Sequence, residues 1–214
     1  MLDTIIRFFQ SGGPFMYPIL VVLAIGLTIS IERYLYLSAS KAKNRRVLAK
    51  IMPMLEKGEL NSAIQATKES NATVCKILAQ GLANFKTARR RDDIEASMEE
   101  SIMEAIPRLE KRTHYLAMFA NIATLLGLLG TIIGLIKAFT AVAQVDPSMK
   151  AEILSTSISV AMNTTAFGLM VAIPLLLFYT FLQTKTTEII DSLEMATVRF
   201  VNQLAKFKSN MPQQ

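Results

Sequence analysis

"TLLGLLGTIIGLIKAF", Thr124–Phe139, carries no charge until Lys137, and its small residues recur every three or four positions. The uncharged run around it extends from Leu116 to Ile136. A helix needs about 20 such residues to cross the hydrocarbon core of a bilayer. Gly127, Gly130, Thr131, Gly134 and Ala138 fall on one narrow face of that helix, and a face of small residues lets helix backbones touch. A second uncharged run, Ile153 to Thr184, repeats the device with Ser157, Ala161, Thr165, Gly168 and Ala172. A third, Phe8 to Ile31, is interrupted by Gly12, Gly13 and Pro14. Its span therefore starts near Phe15 and ends around Tyr36, with Glu32 and Arg33 at the water boundary.

Composition agrees with these three spans. The chain has 214 residues, 51% hydrophobic and 19% charged, and the charges are excluded from the runs, so it reads as an integral membrane protein. Leu37 to Tyr115 holds 15 Lys and Arg against 10 Asp and Glu, whereas "AQVDPSMKAE" between the second and third spans has one Lys against two acids. Positive loops stay in the cytoplasm, which puts the amino terminus outside and both the long loop and the tail inside. A cleaved signal peptide is the competing reading of the first span. Asp3, a single amino-terminal base, and Glu32-Arg33 between the apolar run and "LSASK" argue against it. The net charge of +6 follows from topology, and no aromatic-rich basic patch points to nucleic acid.

The expected organisation is an all-α membrane protein with three transmembrane helices and a helical cytoplasmic domain. Its segments are a periplasmic amino terminus at 1–14, spans at 15–36, 116–143 and 153–182, a cytoplasmic loop at 37–115, a periplasmic loop at 144–152 and a cytoplasmic tail at 183–214. Within the long loop, "VLAKIMPMLEKGEL", "LNSAIQATKES" and "TVCKILAQGLANF" have apolar residues at helical spacing, and Gly58 supplies a stop. No strand pattern appears. From "TARRRDDIEASMEESIMEAIPRLEKRTHYLAMFA" onward the pattern predicts one long helix entering the membrane, kinked at Pro107. Spans two and three thus extend into the cytoplasm as long helices. Cys75 reads as a reduced core residue, and His114 as an interfacial side chain with no second histidine to form a site. The sequons at Asn71 and Asn163 face cytoplasm and lipid, so neither is an acceptor.

Candidate functional residues lie in "NTTAFGLMVAIP", Asn163–Pro174. Asn163, Thr164 and Thr165 are polar groups in a span with no acid, base or metal ligand. Thr131 and Thr165 are each 17 residues from Ser148 at the centre of the connector. Equal distances along two helices rising about 1.5 Å per residue put both near the bilayer middle. Two readings stand at this point. In one, the hydroxyls bond to helix carbonyls and glue neighbours, for about 0.6 to 2 kcal/mol; in the other they form a polar ring for an ion. Lys137, near the outer end of its span, reads as snorkelling to the surface. No nucleophile with its base, metal cluster or phosphate loop is present, and the glycines at 127, 130 and 134 follow no strand.

"RLEKRTHYLAMFANIATLLGLLGTIIGLIKAF" and "NTTAFGLMVAIPLLLFY" resemble the second and third membrane segments of the ExbB, TolQ and MotA family of motor subunits. "ERYLYL" and "KGELNSAIQATKESNATVCKILAQGLANF" extend the resemblance over nearly the whole chain. It implies the three-span ExbB- and TolQ-like branch, in a bacterial inner membrane. It implies a homopentamer around a dimer of single-span ExbD- or TolR-like partners, each bringing one membrane Asp, and work on a TonB- or TolA-like protein. By position, Thr131 and Thr165, with Thr164 and Asn163 beside them, match the polar residues that face the partner's Asp. Gly127, Gly130, Gly134, Ala161 and Gly168 match the helix-packing positions. The resemblance implies no bound cofactor, only a transported ion. Each charge crossing 100 mV releases about 2.3 kcal/mol. Three departures are visible. Val160 stands where many members have Glu, Thr124 stands where they have Pro, and the doubled Thr164-Thr165 is similar to sodium-driven flagellar stators. Because the architecture follows the three-span branch, the expected ion is the proton, with sodium, a motility stator or a non-conducting scaffold as alternatives.

Overall fold

The computed structural model describes residues 8–9, 12–85 and 91–210. Six helices follow in order: α1 Met16–Glu56, α2 Leu60–Lys68, α3 Thr73–Phe85, α4 Arg91–Glu110, α5 Thr113–Val142 and α6 Lys150–Asn210. The described residues contain no strand. The fold is all-α, and α1, the helical path from Arg91 to Val142, and α6 each contain an apolar window long enough to cross a membrane. Most of the expected amino-terminal segment and the "TARR" of "TARRR" lie outside the described residues, as do the last four residues of the tail.

Two compact units share these helices. The first comprises the chain up to Glu32 with Arg112–Phe181. Its interior is built from Met16, Ile19, Val22, Leu116, Ala120, Ala123, Ala138, Ala161, Val171, Ala172 and Leu175, while Leu125, Leu128, Ile136, Phe139, Met162, Met170 and Leu177 are exposed. A bundle that is apolar inside and out is one designed for lipid or for neighbouring chains. Leu175 is buried and Leu176, Leu177 and Phe178 are exposed.

The second unit is Arg33–Lys111 with the chain from Leu182 onward. Here α6 changes character. Leu182, Thr186, Ile189, Leu193, Ala196, Phe200 and Leu204 recur every three or four residues and are all buried, as are Leu37, Ile51, Leu55, Ile77, Leu78, Met98 and Ile102 of the same unit. That one-sided stripe marks a helix in water. Cys75 is buried within this core. Gly58, at φ 83°, ends α1 as expected: the Glu59 N–H reaches the Met54 carbonyl (2.9 Å) and the Gly58 N–H the Leu55 carbonyl (3.1 Å). This Schellman arrangement requires a left-handed residue, for which glycine has no side-chain penalty. Asn44 of α1 is buried, and its amide oxygen accepts from the Val74 N–H at the start of α3 (3.3 Å).

One expectation is corrected. The helical path into the second span is not a single helix kinked at Pro107. Pro107 stays inside α4, and the break comes at Lys111 and Arg112, where Arg112 takes a left-handed φ of 64°. The reason lies outside the local sequence. Carbonyls in the last turn of a helix have no partner of their own, and Arg33 supplies one by donating to those of Arg108 (3.3 Å) and Leu109. Arg33 is buried, with its guanidinium over the Tyr36 ring at 4.7 Å. Arg112 in turn donates to the Glu32 carboxylate at 2.9 Å. The extension at span three is one uninterrupted helix, and the extension at span two is articulated.

Candidate functional site

The site is the seam between α5 and α6 in the first unit, and glycine determines its closeness. A Cβ added at Gly168 would lie 2.7 Å from the Ala123 carbonyl oxygen and 3.1 Å from the Gly127 Cα. One added at Gly127 would lie 3.2 Å from the Thr165 Cα, and one at Gly134 2.8 Å from the Ala161 Cβ. The backbones therefore touch along the seam, the geometry that small residues permit in a membrane. The pairing Gly134 with Ala161, Gly130 with Thr164 and Gly127 with Gly168 fixes an antiparallel register whose facing residue numbers sum to 294 or 295. Thr131 and Thr165, summing to 296, fall at one level within that register.

Backbone contact dictates what the hydroxyls do. Because Gly127 has no side chain, the Thr165 hydroxyl reaches across and donates to its carbonyl at 2.8 Å. The Thr164 hydroxyl is buried between the Val160 carbonyl of its own helix (3.0 Å) and the Gly12 carbonyl; its single hydrogen serves one of them at a time. Thr131 donates back to Leu128 at 2.6 Å and is half-exposed. The same back-bonding is made by Thr28, Thr124, Thr140 and Thr156, so Thr165 differs from these in bonding across the seam. Asn163 is half-buried next to the exposed Met162. A hydroxyl whose hydrogen is committed to a carbonyl presents only acceptor lone pairs to anything else. It can accept a hydrogen bond from a protonated acid or coordinate a cation. Among the described residues, α5 contains no carboxylate and α6 none between Glu152 and Glu188 to be that donor.

The structure therefore groups Thr164, Thr165, Gly127, Gly130 and Gly168 at one place, with Gly134 and Ala161 closing the seam on the side of the connector. Lys137 is exposed on α5, five residues before its end at Val142. His114 is exposed, its ring 6.3 Å from that of Tyr179. Sequence reasoning missed the part played by the segment before α1. Gly12 supplies the acceptor for Thr164, Gly13 adopts φ 73° with its Cβ position 3.2 Å from a methyl of Val160, and Phe8 and Phe9 meet Phe167 edge-on at 6.4 and 5.8 Å. The usable signals were Gly12-Gly13-Pro14, which forces a turn, and the phenylalanines ahead of it.

A family model described as the MotA/TolQ/ExbB proton channel family matches residues 69–195, which include the whole of α5 and the α6 seam. Among curated proteins, an ExbB homolog of Methanothermobacter thermautotrophicus is 28% identical over 194 residues, covering 90% of this chain and 67% of that protein. The biopolymer transport protein ExbB of Neisseria gonorrhoeae is 25% identical, covering 91% of this chain and 96% of its own length. The biopolymer transport protein exbB1 of Vibrio cholerae is 30% identical over 131 residues, 55% of this chain and 58% of that protein.

Proposed function

The chain belongs to the MotA/TolQ/ExbB proton channel family, as a multi-pass membrane subunit of channel or transport type and not an enzyme. From that premise we propose that it is the ion-path subunit of a motor that couples the proton-motive force of a bacterial inner membrane to work in the periplasm or outer membrane. Five copies surround two copies of a single-span partner, the amino terminus is periplasmic, and the second unit is cytoplasmic. The observation that carries this reading is the Thr165–Gly127 bond. It holds a hydroxyl on the seam with its hydrogen spent and its lone pairs available, in a stretch of α5 and α6 that has no acid between Thr113 and Val142 or between Glu152 and Glu188. An acid supplied by a partner chain is the complement such a site lacks. Protonated, it donates to Thr165 or Thr131; ionised, it is repelled from a face of lone pairs and released toward water. Protons fit this hydrogen-bond arrangement better than sodium, which requires several oxygens converging on one point.

A second reading has its own observation. All three threonine hydroxyls donate to carbonyls within the chain, which suffices for a packed scaffold that moves no ion. Affinity purification of the tagged chain from its native host in mild detergent, with mass spectrometry of what accompanies it, separates the two. The motor reading expects a short single-span protein with one membrane Asp, at fewer copies than this chain. A complex that survives solubilisation without such a protein supports the scaffold.

A further inference from the structure

The second unit contains a polar cavity of about 270 Å³ walled by Tyr36 of α1, Thr73, Lys76 and Gln80 of α3, and Ser101, Glu104 and Arg108 of α4, with Asn71 and Leu109 at its edge. Its charge is unbalanced. Lys76 is exposed and has no ion-pair partner among the described residues, and Arg108 pairs with Glu104 across a loose, exposed 3.3 Å. A third cation lies behind the wall. Arg33 is buried, stacks over the ring of Tyr36 and donates to the Leu109 carbonyl, and both of those residues line the cavity. Two basic side chains thus line a space that contains one carboxylate, with the Arg33 charge behind two of its wall residues. The remaining walls include donors of the kind that surround phosphate oxygens, the hydroxyls of Tyr36 and Thr73 and the amides of Asn71 and Gln80, while the Ser101 hydroxyl donates to the Ser97 carbonyl at 3.2 Å.

The place of Tyr36 on α1 makes a lipid head group one carrier of such an anion. Tyr36 lies one turn beyond Glu32 on the continuous helix α1, where the uncharged run of the first span has just ended. Basic pockets at this level beside transmembrane helices bind the head groups of anionic lipids, and tyrosine is favoured at the same interface. We propose that this cavity is a binding site for a phosphate group, carried by an anionic phospholipid of the adjoining leaflet or free in solution. The proposal rests on the three-span membrane reading for its depth and is independent of the ion pathway.

The test uses the full chain with whatever assembles with it, in nanodiscs of phosphatidylcholine with or without phosphatidylglycerol. Native mass spectrometry after gentle release counts the retained lipid, and a parallel series adds inorganic phosphate. Phosphatidylglycerol should be retained in preference to phosphatidylcholine, and the Lys76→Gln, Arg108→Gln double variant should lose retention roughly thirtyfold, at about fivefold per basic residue near a lipid surface. Ala105→Leu, which fills the cavity and leaves every charge in place, should lose it as well. Lys50→Gln, exposed elsewhere on the second unit and paired with Glu69, should not. Competition by millimolar inorganic phosphate would assign the site to soluble phosphate, and its absence to lipid. Equal retention by the cavity variants and the native chain, or equal loss in Lys50→Gln, overturns the proposal. Because ion flux is not the readout, failure here is distinguishable from failure of the motor reading.

Discussion

The two halves of α6 solve the same packing problem in opposite ways. From Ser157 to Ala172 the contact face is made of alanine, threonine and glycine, and backbone lies against backbone. From Leu182 to Leu204 it is made mainly of leucine, isoleucine, valine and phenylalanine, several with no exposed surface at all, with Thr186, Ala196 and Thr197 among them. The solvent explains the difference. In water, burying a large apolar side chain is favourable by about 1.5–3 kcal/mol, so the second unit gains by using big residues. In lipid that gain is absent, because hydrocarbon is as apolar as leucine, and association depends on close contact and carbonyl hydrogen bonds. On the three-span reading, the change of side chains along one helix marks where the membrane ends.

If that contrast is right, Phe200→Ala has the largest effect. It should destabilise the second unit by about 3–5 kcal/mol, read as a drop in its thermal transition by circular dichroism, while the seam of the first unit stays intact. Next comes Gly168→Val. The added side chain strikes the Ala123 carbonyl, and overpacking of this kind costs about 1–3 kcal/mol. Loss of a disulfide cross-link engineered between α5 and α6 would report the separation, and an unchanged cross-linking rate would show that the seam is not close-packed.

Thr165→Val tests the hydroxyl separately from the shape. It removes the bond to Gly127 at a cost of about 0.6 to 2 kcal/mol, and Thr165→Ser should restore most of it. If assembly and ion flux both survive in the valine variant, the hydroxyl is neither glue nor ion path. The smallest effect belongs to Glu188, whose carboxyl is held below the usual carboxylate range by the hydrogen bond and charge of Lys41. A lowered folded value means that the pair contributes stability above the ordinary carboxylate range and loses it as pH falls through the lowered one. The small difference in thermal stability between the native chain and Glu188→Gln should therefore be present at pH 7 and vanish in acid. The pair is exposed on both sides, so a large difference would indicate burial that the fold does not have.

Features set by local pattern were legible in the sequence. The apolar runs, the stop at Gly58, the bounds of α2 and α3 and the common level of Thr131 and Thr165 all follow from spacing along one or two helices. Features set by a distant partner were not. Nothing near Arg112 says that a non-glycine residue will take a left-handed turn, because the reason is that Arg33, 75 residues away, bonds the last carbonyls of α4. In the same way Gly12 reads as a helix breaker, while its carbonyl faces Thr164, 152 residues on. For the candidate site, the small faces were visible and the acceptors of the hydroxyls were not.

The most direct test of the central claim is proton flux. The chain is reconstituted in liposomes with whatever single-span, Asp-bearing protein the purification yields, and a pH-sensitive dye inside reports uptake under an imposed potential. The motor account predicts uptake by the native complex and a marked loss in Thr165→Val complexes of unchanged composition. An intact complex that admits no protons, or one whose flux is indifferent to Thr165, would contradict it.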